Sequence, residues 1–278
     1  MNNHRIGFIG AGNMSQALIA GLLYSGSVPI QSLSASDPVP ATLRALSERG
    51  MLTGVELPIA VRERDFIFLG IKPQVADAVL PQLADALVPG QVVVSMMAGV
   101  QTASIERYMG GDTPVIRVMP QTLVRLRMGA CALCGGRFAT AEHIDQVRQI
   151  LELVGSAVEV SEAQMDAVTG LSGSGPAYVY AMVDALADGG VRAGLPRDIA
   201  LQLAAQTVAG AAQMVLQSEH HPAELKEQVT SPGGTTIAGL HALERGGLRA
   251  ALMNAVVEAS ERSRERSGER PGAWAATD

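Results

Sequence analysis

The chain has 278 residues, enough for roughly two domains whose core needs neither a disulfide nor a metal to hold it. Hydrophobic residues make up 47% of it and aromatics only 3%, so the core is expected to be built from Ala, Leu, Val, Ile and Met, a composition that suits closely packed helices. A formal net charge of −6 argues against a nucleic-acid footprint, and no nucleic-acid partner is expected.

Met1 to Arg5 leads straight into a strand-like Ile6-Gly7-Phe8-Ile9 with no long apolar run, so no signal peptide is read there and a cytoplasmic location is expected. The strand runs into Gly10-Ala11-Gly12-Asn13-Met14-Ser15, after which Ala17, Leu18, Ala20 and Gly21 begin a helix. Strand, glycine turn and helix in that order make a dinucleotide site: Gly10 forms the tight turn, and Gly12 lets a pyrophosphate approach the backbone at the helix N-terminus. Ser15 replaces the third glycine and is small enough for helix and strand to pack.

Leu33 to Ser36 reads as the second strand, with Asp37 where the adenine ribose is expected. An acid there accepts from a 2′-hydroxyl and favours NADH, whereas Ser34, Ser36 and Arg44 suit the 2′-phosphate of NADPH, and both cofactors stay open. Further strands are expected over 65 to 71, 91 to 96 and 114 to 119, with helices over 74 to 87 and 103 to 109. This alternation predicts a doubly wound parallel sheet covered on both faces. Its cofactor rim falls at Lys72-Pro73, Ala98-Gly99 and Met119-Pro120, because ligands bind at the carboxyl ends of such strands. Cys131 and Cys134 share a Cys-x-x-Cys spacing without a second pair, and they are read as two residues of a short apolar strand; no metal is expected. A helix over 141 to 154 and a strand over 157 to 160 complete this half.

From Glu162 onward the pattern is helical, broken at 170 to 175, Gly189-Gly190, Gly194-Leu195-Pro196 and 231 to 234. The boundary is placed near Ser161: a dinucleotide-binding domain over 1–161 and an all-α substrate-binding and dimerisation domain over 162–278. Residues 199 to 216 lack charge over a span long enough to cross a bilayer, but Gln202, Gln206, Thr207 and Gln213 interrupt it and its apolar residues are more often Ala than Leu or Ile. A buried helix of a protein without a membrane partner is expected instead. The helical half has more apolar surface than it can bury alone, which predicts a homodimer or an assembly of such dimers. The tail from Ser267, including Trp274, is expected to be loose.

A bend between two helical patterns stands out at Ser231-Pro232-Gly233-Gly234-Thr235-Thr236. Pro232 and the paired glycines permit a sharp turn, so the amides of Gly234, Thr235 and Thr236 can converge at the start of the second helix and bind an anion. Taken with Gly10 to Met14, the segment Asp166 to Tyr178, His221-Pro222-Ala223-Glu224-Leu225-Lys226 and Leu243-Glu244, this bend resembles the pyrroline-5-carboxylate reductase family over nearly the whole chain, most specifically over 222 to 244.

The resemblance implies an oxidoreductase that passes a hydride from NAD(P)H to the C=N carbon of 1-pyrroline-5-carboxylate and releases L-proline, the last step of proline biosynthesis. It implies substrate contacts at Ser231, Gly233, Gly234, Thr235, Thr236, Ser174 and Gly175. The hydroxyl of Thr236 would face the ring nitrogen, with Glu219 as an acid near it. His220 and His221 are read as surface residues. One departure stands out: the family's Met-Pro-Asn-Thr-Pro is here Met119-Pro120-Gln121-Thr122-Leu123, which leaves the loop shape and the nicotinamide contact open. Two other readings are a β-hydroxyacid dehydrogenase using Lys226 as general acid, and a dinucleotide-binding regulatory protein without turnover.

Overall fold

The structure, a computed structural model, describes residues 4–268. Strands and helices alternate in chain order as β1 (Ile6–Ile9), α1 (Asn13–Tyr24), β2 (Leu33–Ser36), α2 (Pro40–Glu48), β3 (Leu52–Gly54), α3 (Pro58–Val61), β4 (Phe66–Leu69), α4 (Ala76–Ala86), β5 (Val92–Ser95), α5 (Thr102–Glu106) and β6 (Val115–Met119). Then come β7 (Gly129–Gly135), α6 (Ala141–Glu152) and β8 (Gly155–Glu159). All eight strands form one sheet in the order β3-β2-β1-β4-β5-β6-β7-β8.

The inner strands are apolar runs because both faces of the sheet are covered. Successive side chains point to opposite sides: Phe8, Phe68, Val94 and Ile116 pack with Leu18 and Leu22 of α1 and Ile150 of α6, while Ile9, Ile67, Leu69 and Val93 pack with Leu80 and Leu83 of α4 and Ile105 of α5. Scarce as aromatics are, Phe8, Phe66 and Phe68 all lie in the first of these clusters. The sheet departs from a fully parallel one at β7, which pairs antiparallel with β6. The connection between them is a short 3-10 turn, Thr122–Leu126, with no crossover helix to return the chain to the other end. The three-residue edge strand β3 was not expected from sequence; too short for visible alternation, it pairs parallel to β2.

Residues beyond β8 stay with the sheet for one more stretch. Glu162 accepts hydrogen bonds from the Thr102 amide at 2.7 Å and from the Thr102 hydroxyl at 2.8 Å, and it pairs with the buried Arg117 at 3.5 Å. In α7 (Met165–Val168), Met165 is buried against Ala132 and Cys134, and a single π-helical turn, Thr169–Gly173, follows. The chain accordingly divides into two compact units: one holds the residues up to Gly173 and those from Ala259 on, the other Ser174–Glu258. The helical half read from residue 162 thus begins as a separately packed body at Ser174.

The second unit contains α8 (Gly175–Arg192), α9 (Arg197–Gln217), α10 (Pro222–Gln228), α11 (Thr235–Arg245) and the first part of α12 (Leu248–Gly268). Gly189-Gly190 does not break the pattern as expected, since α8 runs through it. Gly190 is a contact point: a Cβ there would stand 3.1 Å from the Cβ of Ala200. Small residues do bring α8 and α9 together, with Ala187, Ala200 and Ala204 buried between them. The expectation that α9 is a buried helix does not hold within one chain, where Ile199, Leu201, Leu203, Met214 and Leu216 are exposed. By length and composition α9 is the one helix among the described residues that could cross a membrane. Of the tail, Ser267 and Gly268 close α12, and the rest, with Trp274, lies outside the described residues.

Candidate active site

The predicted cofactor residues of the first unit all lie at or just past the carboxyl ends of five adjacent parallel strands, β2, β1, β4, β5 and β6. Gly10 takes φ +88° and donates its amide to the Ser36 carbonyl at 2.8 Å, closing the turn across β1 and β2. A side chain there would also meet the Gly70 carbonyl oxygen, 2.8 Å from the Cβ position. Gly12 is different. It caps α1 with nothing within 4 Å of where a Cβ would stand, and α1 has no side-chain cap, so the opening amides of the helix at Asn13 and Met14 lack a capping side chain. Ser15 is fully buried beside Gly70, as its small size allows.

Asp37 does more than the sequence suggests. One carboxylate oxygen accepts from the Ala11 amide at 2.8 Å and the other from Val39 at 2.9 Å, so the acid holds the glycine turn against β2. Each oxygen keeps a further lone pair for a ribose hydroxyl. A cavity of about 590 Å³ opens beside it, lined by Gly10, Ser36, Asp37, Leu57, Val75 and Val79 among others. The apolar walls Val75 and Val79 were missed from sequence; an apolar pair four residues apart at a helix start was the available signal. Of the phosphate candidates, Ser34 is withdrawn: its hydroxyl is buried, accepting from Arg64 Nε at 2.7 Å. Ser36 lines the cavity and Arg44 is exposed on α2.

Lys72 is exposed ahead of the 3-10 turn Pro73–Val75, and neither Lys72 nor Pro73 lines that cavity. After β5, Ala98 is exposed and Gly99 turns with φ +75°. After β6, Pro120 is buried and Met119 packs with Met165, its methyl reaching Gly173. The Gln121 and Leu123 departures prove to be partners, for the side-chain carbonyl of Gln121 accepts from the Leu123 amide at 2.7 Å.

In the second unit the predicted bend links α10 to α11. Gly233 has φ +66°, and Gly234 lies so close to Ser231 that a Cβ would come within 2.3 Å of its Oγ. The Gly234 amide does not face outward as expected, because it donates to the Ser231 carbonyl at 3.1 Å to close the turn. The amides that open α11, at Thr235 and Thr236, have no side-chain cap and are the ones left for an anion to use. Thr235 is exposed and Thr236 half-buried. Ser174 and Gly175 start α8, likewise without a side-chain cap. Glu219 is exposed between α9 and α10, and no hydrogen bond or ion pair among the described residues joins it to Thr236. His220 and His221 are exposed as expected, but His221 also caps α10 by accepting from the Ala223 amide at 3.2 Å, and Glu224 accepts in return from the His221 amide. Lys226 is exposed on α10.

Cys131 and Cys134 lie three apart on β7 and so on opposite faces, Cys131 in the large cluster and Cys134 beside Met165. Burial pushes their thiols up to about 12 and about 11, leaving both protonated at neutral pH. Iodoacetamide at pH 8 is expected to leave the native protein unlabelled and to modify both cysteines in urea, as read by mass spectrometry.

Residues 162–266 match the family model described as pyrroline-5-carboxylate reductase dimerisation, and residues 5–99 that described as NADP oxidoreductase, coenzyme F420-dependent. The pyrroline-5-carboxylate reductase of Methanosarcina acetivorans is 45% identical over 94% of this chain and 97% of its own length. That of Glycine max is 43% identical over 93% and 94%. Among solved structures, a pyrroline-5-carboxylate reductase from Coxiella burnetii superposes with a TM-score of 0.89 at 32% identity, covering 96% of this chain and 100% of that one. The Plasmodium falciparum pyrroline carboxylate reductase with NADP bound gives 0.85 at 29%, covering 96% and 100%.

Proposed function

The chain belongs to the pyrroline-5-carboxylate reductase family, and from that premise we propose how its residues carry the reaction. It is an NAD(P)H-dependent oxidoreductase that reduces 1-pyrroline-5-carboxylate to L-proline, the last step of proline biosynthesis. The near-full-length likeness to those reductases is the observation that carries this conclusion. When bound, NAD(P)H supplies the hydride for the imine carbon. Gly10 to Met14 cradle its pyrophosphate, Ser36 and Asp37 take the adenosine side, and Lys72, Pro73, Ala98, Gly99, Met119 and Pro120 form the rim toward its nicotinamide. The fit is supported by the open backbone at Gly12, the uncapped start of α1 and the cavity beside Asp37.

A protonated imine is already electrophilic, so the protein's task is to hold the ring and exclude water. The substrate carboxylate rests on the amides of Thr235 and Thr236, where the positive end of the α11 dipole favours it. Ser231, Gly233 and Gly234 shape the bend, and Ser174 and Gly175 bound the site. The Thr236 hydroxyl meets the ring nitrogen, and Glu219 offsets the charge on the protonated nitrogen. Support for Thr236 over Thr235 comes from its partial burial, which holds its side chain in place. Thr236→Val is expected to lower kcat by about tenfold, the size of one lost hydrogen bond to a charged group, and Thr235→Val by less.

We keep the domain division at Ser161, supported by the start of the dimerisation match at residue 162. The chain forms a homodimer, in which a second copy covers the apolar residues of α9 together with Met253 and Val257 of α12. A cytoplasmic site suits its two free, buried thiols. The test of the function is oxidation of NADPH and NADH with pyrroline-5-carboxylate, run beside a 2-hydroxy and a 3-hydroxy acid in reverse. Turnover with pyrroline-5-carboxylate alone is expected. Turnover with a hydroxy acid, or binding of NADPH with no turnover at all, would refute the proposal.

A further inference from the structure

The turn Thr122–Leu126 leaves β6 at Pro120 and is capped twice by one residue. The backbone carbonyl of Gln121 accepts from the Val124 amide at 3.1 Å, and its side-chain carbonyl accepts from the Leu123 amide at 2.7 Å. Gln121 is only 6% exposed, so the side-chain bond is shielded from water, which would otherwise replace it. Because a backbone amide can only donate, the atom facing Leu123 must be the carbonyl oxygen rather than the NH₂.

The turn so held is wedged between the Met119-Pro120 rim and the body of α1. On one side it continues from Met119 and Pro120. On the other, Val124 is fully buried in the sheet's main cluster, and its carbonyl oxygen occupies the space where Gly21 of α1 would carry a Cβ, 2.2 Å from that position. Met119 is braced separately by Met165 and by the close approach of its methyl to Gly173. Releasing the Leu123 amide would free the segment after Pro120, which takes no part in the Asp37 contacts and does not line the adenosine-side cavity.

We propose that Gln121 is a positioning residue for the nicotinamide end of the cofactor, acting through its cap on the Leu123 amide to fix the Met119-Pro120 rim against α1. The inference rests on the cofactor placement given above and deepens it. Gln121 and Leu123 work as one unit: the first offers the acceptor, the second the donor, and removal of either strands the other.

The test compares binding of NADPH with that of 2′-phospho-ADP-ribose, the same molecule without its nicotinamide, by fluorescence titration or calorimetry. Gln121→Leu and Leu123→Pro are each expected to weaken NADPH by about tenfold, the effect of leaving one buried partner unsatisfied, while 2′-phospho-ADP-ribose binds as to wild type. Leu123→Ala keeps the amide and is expected to change neither. Gln121→Asn, whose carbonyl still reaches an amide two residues on, recovers the NADPH affinity. In the Leu123→Pro background, Gln121→Leu should cost nothing further. Equal NADPH affinity in Gln121→Leu and wild type overturns the inference, as does parallel loss of both ligands, which marks general damage. A wild type that binds neither ligand overturns the cofactor placement as well, so the two failures can be told apart.

Discussion

Gly12→Val is expected to abolish NADPH oxidation while the protein still folds. The free structure has room for the new side chain, with nothing within 4 Å of the Cβ position and an ordinary φ of −67°. The cost to the apo protein is about 1 kcal/mol, for a poorer residue at the helix cap. In the proposed placement, by contrast, the pyrophosphate reaches the amides that open α1, and a branched side chain at the cap stands in its way; an affinity loss of about a hundredfold or more is expected. Titration with NADPH alongside a thermal melt separates the two effects. Gly10→Ala serves as the contrast, since it forces a side chain into φ +88° and against the Gly70 carbonyl, and its melting temperature should fall as well. A Gly12→Val protein that binds NADPH normally would move the pyrophosphate away from α1.

Glu162→Ala is expected to destabilise the first unit by about 3 kcal/mol, the cost of leaving a buried charge without its partner. Arg117 is nearly inaccessible on β6, and Glu162 is its ion-pair partner, at 3.5 Å. The same carboxylate takes both the amide and the hydroxyl of Thr102 at the start of α5, so three elements lose their common tie at once. Glu162→Gln, which retains an acceptor for Thr102 but not the charge, should recover part of the loss. Urea unfolding of the three proteins measures this, and equal midpoints for wild type and Glu162→Ala would show that Arg117 is stabilised by other means.

Much of this was legible in the chain because it depends on local chemistry. The run Ile6 to Ser15 announces strand, turn and helix, since only glycine tolerates the backbone angle at position 10 and a small residue is needed at 15. The apolar runs at 66–69 and 92–95 read as buried strands because both of their faces are covered. The bend at 231 to 236 showed itself through proline and paired glycines. What escaped were interactions between residues distant in sequence or equivocal in type. Asp37 was seen as a ribose acceptor, but not as the anchor of the Ala11 amide twenty-six residues earlier. Ser34 had the right chemistry for a phosphate and was lost to Arg64, thirty residues away. Gly189-Gly190 looked like a helix break because isolated helices are weakened by glycine, yet a contact with α9 outweighs that preference.

Residue order alone dictates the alternation of strands and helices, the glycine turn proposed to receive a dinucleotide, and the bend that opens α11, because each follows from periodicity or from backbone angles that few residues can adopt. Which strand turns back, which amide of the bend remains available and which residues caps or ions join depend on packing. β7 reverses direction because a capped 3-10 turn, rather than a helix, connects it to β6. The Gly234 amide is consumed by Ser231, which leaves the amides of Thr235 and Thr236 for the proposed anion contact. Hydrogen bonds of this kind are settled only when the surrounding side chains exclude water and the nearest partner wins, a competition between neighbours in space that the linear chain does not encode residue by residue.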